Sequence, residues 1–116
     1  MNYSERTKRG PDFRIRYEWR RETAQMPLQH MRCDFAYSGE HERQAYMIWP
    51  EFETAEHVPI GEAVTPPRVG TATMWILDDK MRPFHRDRIT LGVGGHLVRG
   101  AEVIADVEVV EILGLK

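Results

Sequence analysis

Three residues in the later part of the chain have types that do chemistry. His85 and Asp87 lie two apart, and His96 follows the glycine pair Gly94-Gly95. Residues two apart on a strand share a face. If the backbone folds back at Gly92–Gly95, His96 joins them, and a His/His/Asp group suits a metal ion or acid–base work. The same residues read equally as two surface histidines and a salt-bridged aspartate. His30, His41 and His57 add no metal pattern: no histidine pair has the i, i+4 spacing of a zinc-protease helix, and no Cys-x2-Cys occurs. Cys33 alternates with Met31 and Phe35, which makes it a small buried hydrophobe; a nucleophile would need an adjacent base and partial exposure. No Gly-x-Ser-x-Gly and no Gly-x4-Gly-Lys-Ser/Thr is present, so acyl transfer and nucleotide triphosphate binding have no motif. The expectation is a protein that is not an enzyme and carries no cofactor or metal.

Gly94-Gly95 is the strongest local signal. It is either a hairpin turn with positive φ or an exposed backbone that lets a phosphate approach, flanked by His96 and Arg99. Arg82, His85, Arg86, Arg88 and Arg99 could gather around that corner as a basic patch. Trp49 and Trp75 would then be stacking surfaces, although Ile48 and Ile76 beside them argue for core positions.

The elements that must position these residues are strands. Phe13, Ile15, Tyr17 and Trp19 alternate with Arg14, Arg16, Glu18 and Arg20, giving a half-buried strand with one charged face. Met31 to Tyr37 alternates in the same way, after a connection at Glu22 to Pro27. Ala45 to Trp49 is a short apolar run, and Pro50 argues against a long central strand there. Residues 53 to 69, with four prolines and glycines, read as loop. Thr71 to Leu77 and Arg86 to Val93 read as strands, separated by a polar turn at Asp78-Asp79-Lys80. Val103 to Leu113 alternates again, with a change of face near Val109-Val110 that predicts either a bulge or a strand that becomes buried on both sides. No 3.6-residue period is sustained. Short strands between turn signals predict a sandwich or a closed barrel, closure being favoured because it removes exposed edges.

With 116 residues the chain makes one domain large enough for its own core, and it holds a single cysteine. A disulfide scaffold is excluded, no run approaches the length of a membrane span, and the default location is cytoplasmic. Net charge is -2, spread unevenly: residues 5–21 carry +4 and the remainder -6. Such a basic end can meet an anionic partner, or it can be a solvated strand face beside a loose terminus at residues 1–10.

The segment from Pro67 to Leu77, followed by Phe84-His85-Arg86-Asp87-Arg88-Ile89-Thr90-Leu91 and Gly94-Gly95-His96-Leu97-Val98-Arg99-Gly100, resembles the C-terminal β-barrel of elongation factor Tu. The likeness covers residues 28–113, with Val103 to Leu113 as the closing strand and Met31 to Tyr37 as the opening one. It implies an all-β, six-stranded antiparallel closed barrel over residues 11–116, with an extra N-terminal strand or arm. It also implies a binding role without the GTPase: a site at Gly94, Gly95, His96, Arg99, Arg86 and Arg88 for tRNA-like RNA or a translation-related protein. The family's arginine after the glycine pair is His96 here, and its following small residues are replaced by Arg99 and Glu102. A small inhibitor or immunity-type module acting by protein contact is the alternative. A lone barrel would expose the apolar face its relatives use, so a homo-oligomer also fits.

Overall fold

The computed structural model describes residues 3–21, 23, 27–40 and 44–116. His41 and most of the connection read at residues 22–27 lie outside them. Six strands form one antiparallel sheet: β1 (Phe13–Trp19), β2 (Asp34–Tyr37), β3 (Ile48–Phe52), β4 (Val69–Ile76), β5 (Gly94–Arg99) and β6 (Glu102–Ile112). Their spatial order is β2-β5-β6-β1-β4-β3. The sheet curls into a half-barrel. It is not the closed barrel expected: among the described residues β2 and β3 form no ladder, and their side is joined by an isolated bridge from Phe35 to Tyr46, just before β3, and by the Trp49 indole donating to Asp34 at 2.9 Å. Nor is β1 an extra arm: it lies between β6 and β4 near the middle of the sheet.

Phe13, Ile15, Tyr17 and Trp19 are all buried in the concave core, as their alternation requires. Of the two readings near Val110 the bulge is the one present: Arg14 pairs with Glu111 but Ile15 with Val109, which leaves Val110 unpaired and exposed. A second irregularity, where Leu97 pairs with Ala105 and Val98 with Val103, leaves Ile104 unpaired and fully buried. Extra residues of this kind increase local twist, and both fall on the long β6 that carries the sheet's curl.

The strand expected at Arg86 to Val93 is absent: a 3-10 turn (Asp79–Met81) and a short helix, α2 (Arg82–Arg86), end at its first residue, and turns follow as far as β5. Asp78 caps the turn by accepting from the Lys80 N–H, and Pro83 sits in the first helical turn, where its missing N–H costs nothing. The two buried residues of this stretch, His85 and Ile89, are four apart, a helical spacing that alternation overlooks.

The sheet's ends are closed by the chain itself. Pro50 lies in edge strand β3, and the pairing phase turns its missing N–H away from β4. At Phe52 the Gln29 carboxamide stands in for a peptide group, donating to the carbonyl at 3.0 Å and accepting from the N–H at 2.9 Å. At the other end, the backbone of Phe35 exchanges two hydrogen bonds with Tyr46.

Residues 3–10 do not hang loose. Helical turn α1 (Tyr3–Thr7) lays Tyr3 on the convex face of β3 and β4, with its ring 5.0 Å from His30 and 6.1 Å from Trp75. Trp75 is accordingly buried, and the guanidinium groups of Arg6 and Arg32 lie 5.1 and 5.6 Å from the Trp49 ring.

Asp12 joins these parts. Its carboxylate is fully buried; Oδ2 accepts from Arg9 at 2.8 Å and from the Ile76 N–H at 2.7 Å. Oδ1 accepts from Arg82 at 3.1 and 2.9 Å. The Asp12 carbonyl accepts from the N–H groups of Leu113 and Leu115. Removing one member of a buried charged cluster strands the others, so Asp12→Ala is expected to cost about 3–5 kcal/mol, read as a lowered urea midpoint. A loss under about 1 kcal/mol would mean water replaces the carboxylate.

Candidate functional site

The residues expected to act together are held apart. His85 lies on α2, buried, with Nδ1 2.6 Å from the Tyr37 hydroxyl. Asp87 is exposed at the end of that helix. His96 lies on β5 and bonds Asp106 at 3.0 Å, an aspartate shared with Arg20. Among the described residues no group of three or more His, Cys, Asp or Glu could hold a metal ion.

The glycine pair is not a turn. Gly94 and Gly95 begin β5, and the positive φ angles belong to Gly92 and Gly100 on either side of that strand. Gly95 is needed for a close approach: a Cβ there would meet the Ala36 carbonyl and the Phe35 ring at 2.7 Å. Its backbone pairs with Tyr37 on one side and Val107 on the other, so it is no open cradle for a phosphate. The arginines of the expected patch are mostly committed to acids. Arg82 binds Asp12, Arg88 pairs with Glu40 and covers the Tyr37 ring at 4.0 Å, and Arg99 reaches Glu102 at 3.3 Å. Arg86 alone of these is exposed without an ion pair among the described residues.

The structure offers a different site, in the stretch that reads from sequence as plain loop. A cleft of about 450 Å³ lies between residues 53–67 and the start of β4. Its walls are Ile60, Val64, Pro67 and Val69, with Val64 and Val69 largely exposed. Its polar end is Glu53, a buried carboxylate. Arg14 grips both oxygens, at 3.0 and 2.9 Å, while the Thr71 hydroxyl donates at 2.7 Å and His57 Nδ1 lies at 3.0 Å. Burial pulls the Glu53 carboxyl upward, but these bonds outweigh it and hold the group below its ordinary value.

The cleft exists because β4 outruns β3. The last contact between them is the Glu53 N–H to the Thr71 carbonyl; beyond it, β3 turns off into a small loop bridged between Glu53 and Pro59. Odd-numbered residues of β4 turn their backbone groups toward β3, as Thr71 does. Val69 has the same phase, and its N–H and C=O on that side have no partner among the described residues. The sequence signal was present but indistinct: a β-branched strand start after the two prolines at 66 and 67, opposite a strand interrupted by Pro50.

Cys33 is fully buried, and burial pushes its thiol up to about 12, which leaves it inert. Comparison with protein-family models, with curated proteins and with solved structures gives no match for this chain.

Burial is also the main influence on His85, pushing its imidazole from 6.5 down to about 4, with Arg88 acting in the same direction. A depressed value means the unfolded chain takes up the proton first. The stability contributed by neutral His85 is therefore complete above pH 6.5 and drains away as pH falls toward 4. Urea unfolding at pH 7 and pH 5 is expected to differ by on the order of 2 kcal/mol, and His85→Gln is expected to flatten most of that slope. An unchanged slope in the variant would assign the loss to other groups.

Proposed function

We propose that this chain is a non-catalytic binding module that recognises a protein, taking an extended segment of its partner into the cleft as an added strand beside Val69. One observation carries this reading: the unpaired backbone edge of β4 lies beside an apolar trough. Strand addition uses such an edge for main-chain hydrogen bonds, and alternate side chains of the segment fill the neighbouring pocket. An extended segment with apolar residues at alternate positions fits Val64 and Val69.

On this reading the half-barrel resembles the elongation factor Tu C-terminal barrel and serves binding without hydrolysis. Charge supports a protein partner over RNA. RNA affinity comes from neutralising several phosphates with uncommitted cations. Here Arg14, Arg20, Arg68, Arg82, Arg88 and Arg99 each already face a carboxylate. That balance favours a protein, and an inhibitor or immunity-type role is one form such contact takes.

Val69→Pro tests the reading directly. It deletes an N–H that has no partner among the described residues, so the urea midpoint is expected to hold. Linear peptides selected by display on the full-length chain are expected to lose about tenfold or more in affinity for the variant. Peptides that bind the variant equally would remove the strand-addition reading. Binding of RNA whose affinity collapses between low and moderate salt, unaffected by Val69→Pro, would replace it with a nucleic-acid one.

A further inference from the structure

A second cavity, independent of the cleft, lies between α2 and the entry to β3. It measures about 160 Å³ and is walled by Ala45, Tyr46, Met47, Ile76 and Met81, with Asp78 also on its lining. One polar side chain within this lining is buried: His85, 1% exposed. Its Nδ1 is committed to Tyr37, so Nε2 is the ring nitrogen left over, and that atom has no hydrogen-bond partner among the described residues. Nε2 is also absent from the buried atoms that lack a partner, which are the Tyr3 hydroxyl and Arg9 Nε. Nε2 is thus an unpartnered atom not sealed from solvent, on a residue that lines the cavity.

The proton on that nitrogen follows from Tyr37. The phenol is buried, and burial drives its ionisation upward, so it keeps its hydrogen. Its oxygen has no hydrogen-bond partner other than His85 Nδ1 among the described residues. If Nδ1 carried the proton, the phenol hydrogen would be left buried without an acceptor, a loss of about 1–3 kcal/mol. The hydroxyl therefore donates to Nδ1, and the imidazole presents Nε2–H toward the cavity. The Tyr46 ring stands edge-on to His85 at 4.8 Å and fixes its orientation.

We propose that this cavity is a binding site for a small, uncharged, mostly apolar molecule bearing one hydrogen-bond acceptor, held by His85 Nε2–H. The volume sets the size, since a dry cavity of about 150 Å³ admits a benzene ring. The apolar walls set the character. Asp78 places a carboxylate on the lining and disfavours anions. Because the imidazole stays neutral down to about pH 4, it gives an anion no compensating positive charge.

Acetophenone, ethylbenzene and benzoate separate these features: the first has the ring and an acceptor, the second only the ring, the third a charge. Titration of the full-length chain, followed by amide shifts in heteronuclear NMR, is expected to rank acetophenone about tenfold above ethylbenzene, with benzoate last. Shifts should centre on Ala45, Met47, Ile76 and Met81. The imidazole nitrogen shifts of His85 should report the Nε2–H tautomer and move on binding acetophenone only. His85→Phe is expected to erase the preference for acetophenone over ethylbenzene. Ala45→Phe, at an exposed rim position, fills the space without disturbing the core and is expected to abolish both, which keeps the test decisive if the first variant fails to fold. Equal affinity for acetophenone and ethylbenzene in the wild-type chain, an Nδ1–H tautomer, or binding that survives Ala45→Phe would each overturn the assignment.

Discussion

A carboxylate with no access to water holds the fold's separate parts in register. Asp12 stands just before the central strand. Its side chain fastens the end of β4 and the first residue of α2, and its backbone fastens the last turn of the chain. The cost of burying an ion is met only because two guanidinium groups and a peptide N–H surround it. That arrangement fixes where α2 begins, and α2 in turn presents His85 to Tyr37. The cavity beside His85 is thus built from Asp12 outward. Glu53 has the corresponding part near the start of β4, where Arg14, at the beginning of β1, ties the turn after β3 back to the sheet. Two buried acids, each clamped by arginine, brace the sheet near opposite ends of β4.

Much of the sheet was legible in the sequence because a two-residue period is a strong signal when one face is fully apolar. Phe13 to Trp19 and Val103 to Val109 are read correctly for that reason, and even the bulge at Val110 shows as a break in phase. What failed, failed where a competing rule governed. Arg88-Ile89-Thr90-Leu91 has strand-forming residues, but Pro83 and the Asp78 cap start a helix just upstream, and the i, i+4 pair His85 and Ile89 becomes the buried set. Gly94-Gly95 has turn composition, but its purpose is to let β2 come close. The expected site was illegible for a more general reason: whether an arginine is available depends on which acid lies across the sheet, and Glu40, Glu102 and Asp12 cannot be assigned to Arg88, Arg99 and Arg82 without the pairing. The cleft at Val69 is likewise a difference in length between two strands, which no local window contains.

The convex face carries its own lesson about polarity. An antiparallel sheet with one wet face should alternate apolar and charged residues. β3 and β4 break that pattern with Trp49, Glu51, Thr73 and Trp75, and the reason is α1: Tyr3 roofs this part of the sheet and makes a second, smaller layer. The basic segment at residues 5–21 therefore splits in two. Arg6 and Arg9 help to hold the roof, and Arg14 and Arg20 answer acids across the sheet.

Gln29 closes the β3 edge at Phe52 together with the Ile60 N–H, which shares the Phe52 carbonyl with the carboxamide. Hydrolysis of the side chain to a carboxylate would turn a donor into an acceptor opposite the Phe52 carbonyl, two oxygens facing each other where a hydrogen bond had been. The edge strand would keep only the Ile60 N–H on that carbonyl, and its seal would weaken. A strand rim freed in this way is the template on which identical chains stack. Slow chemical ageing at one buried side chain would thus convert a self-contained domain into one that seeds its own assembly.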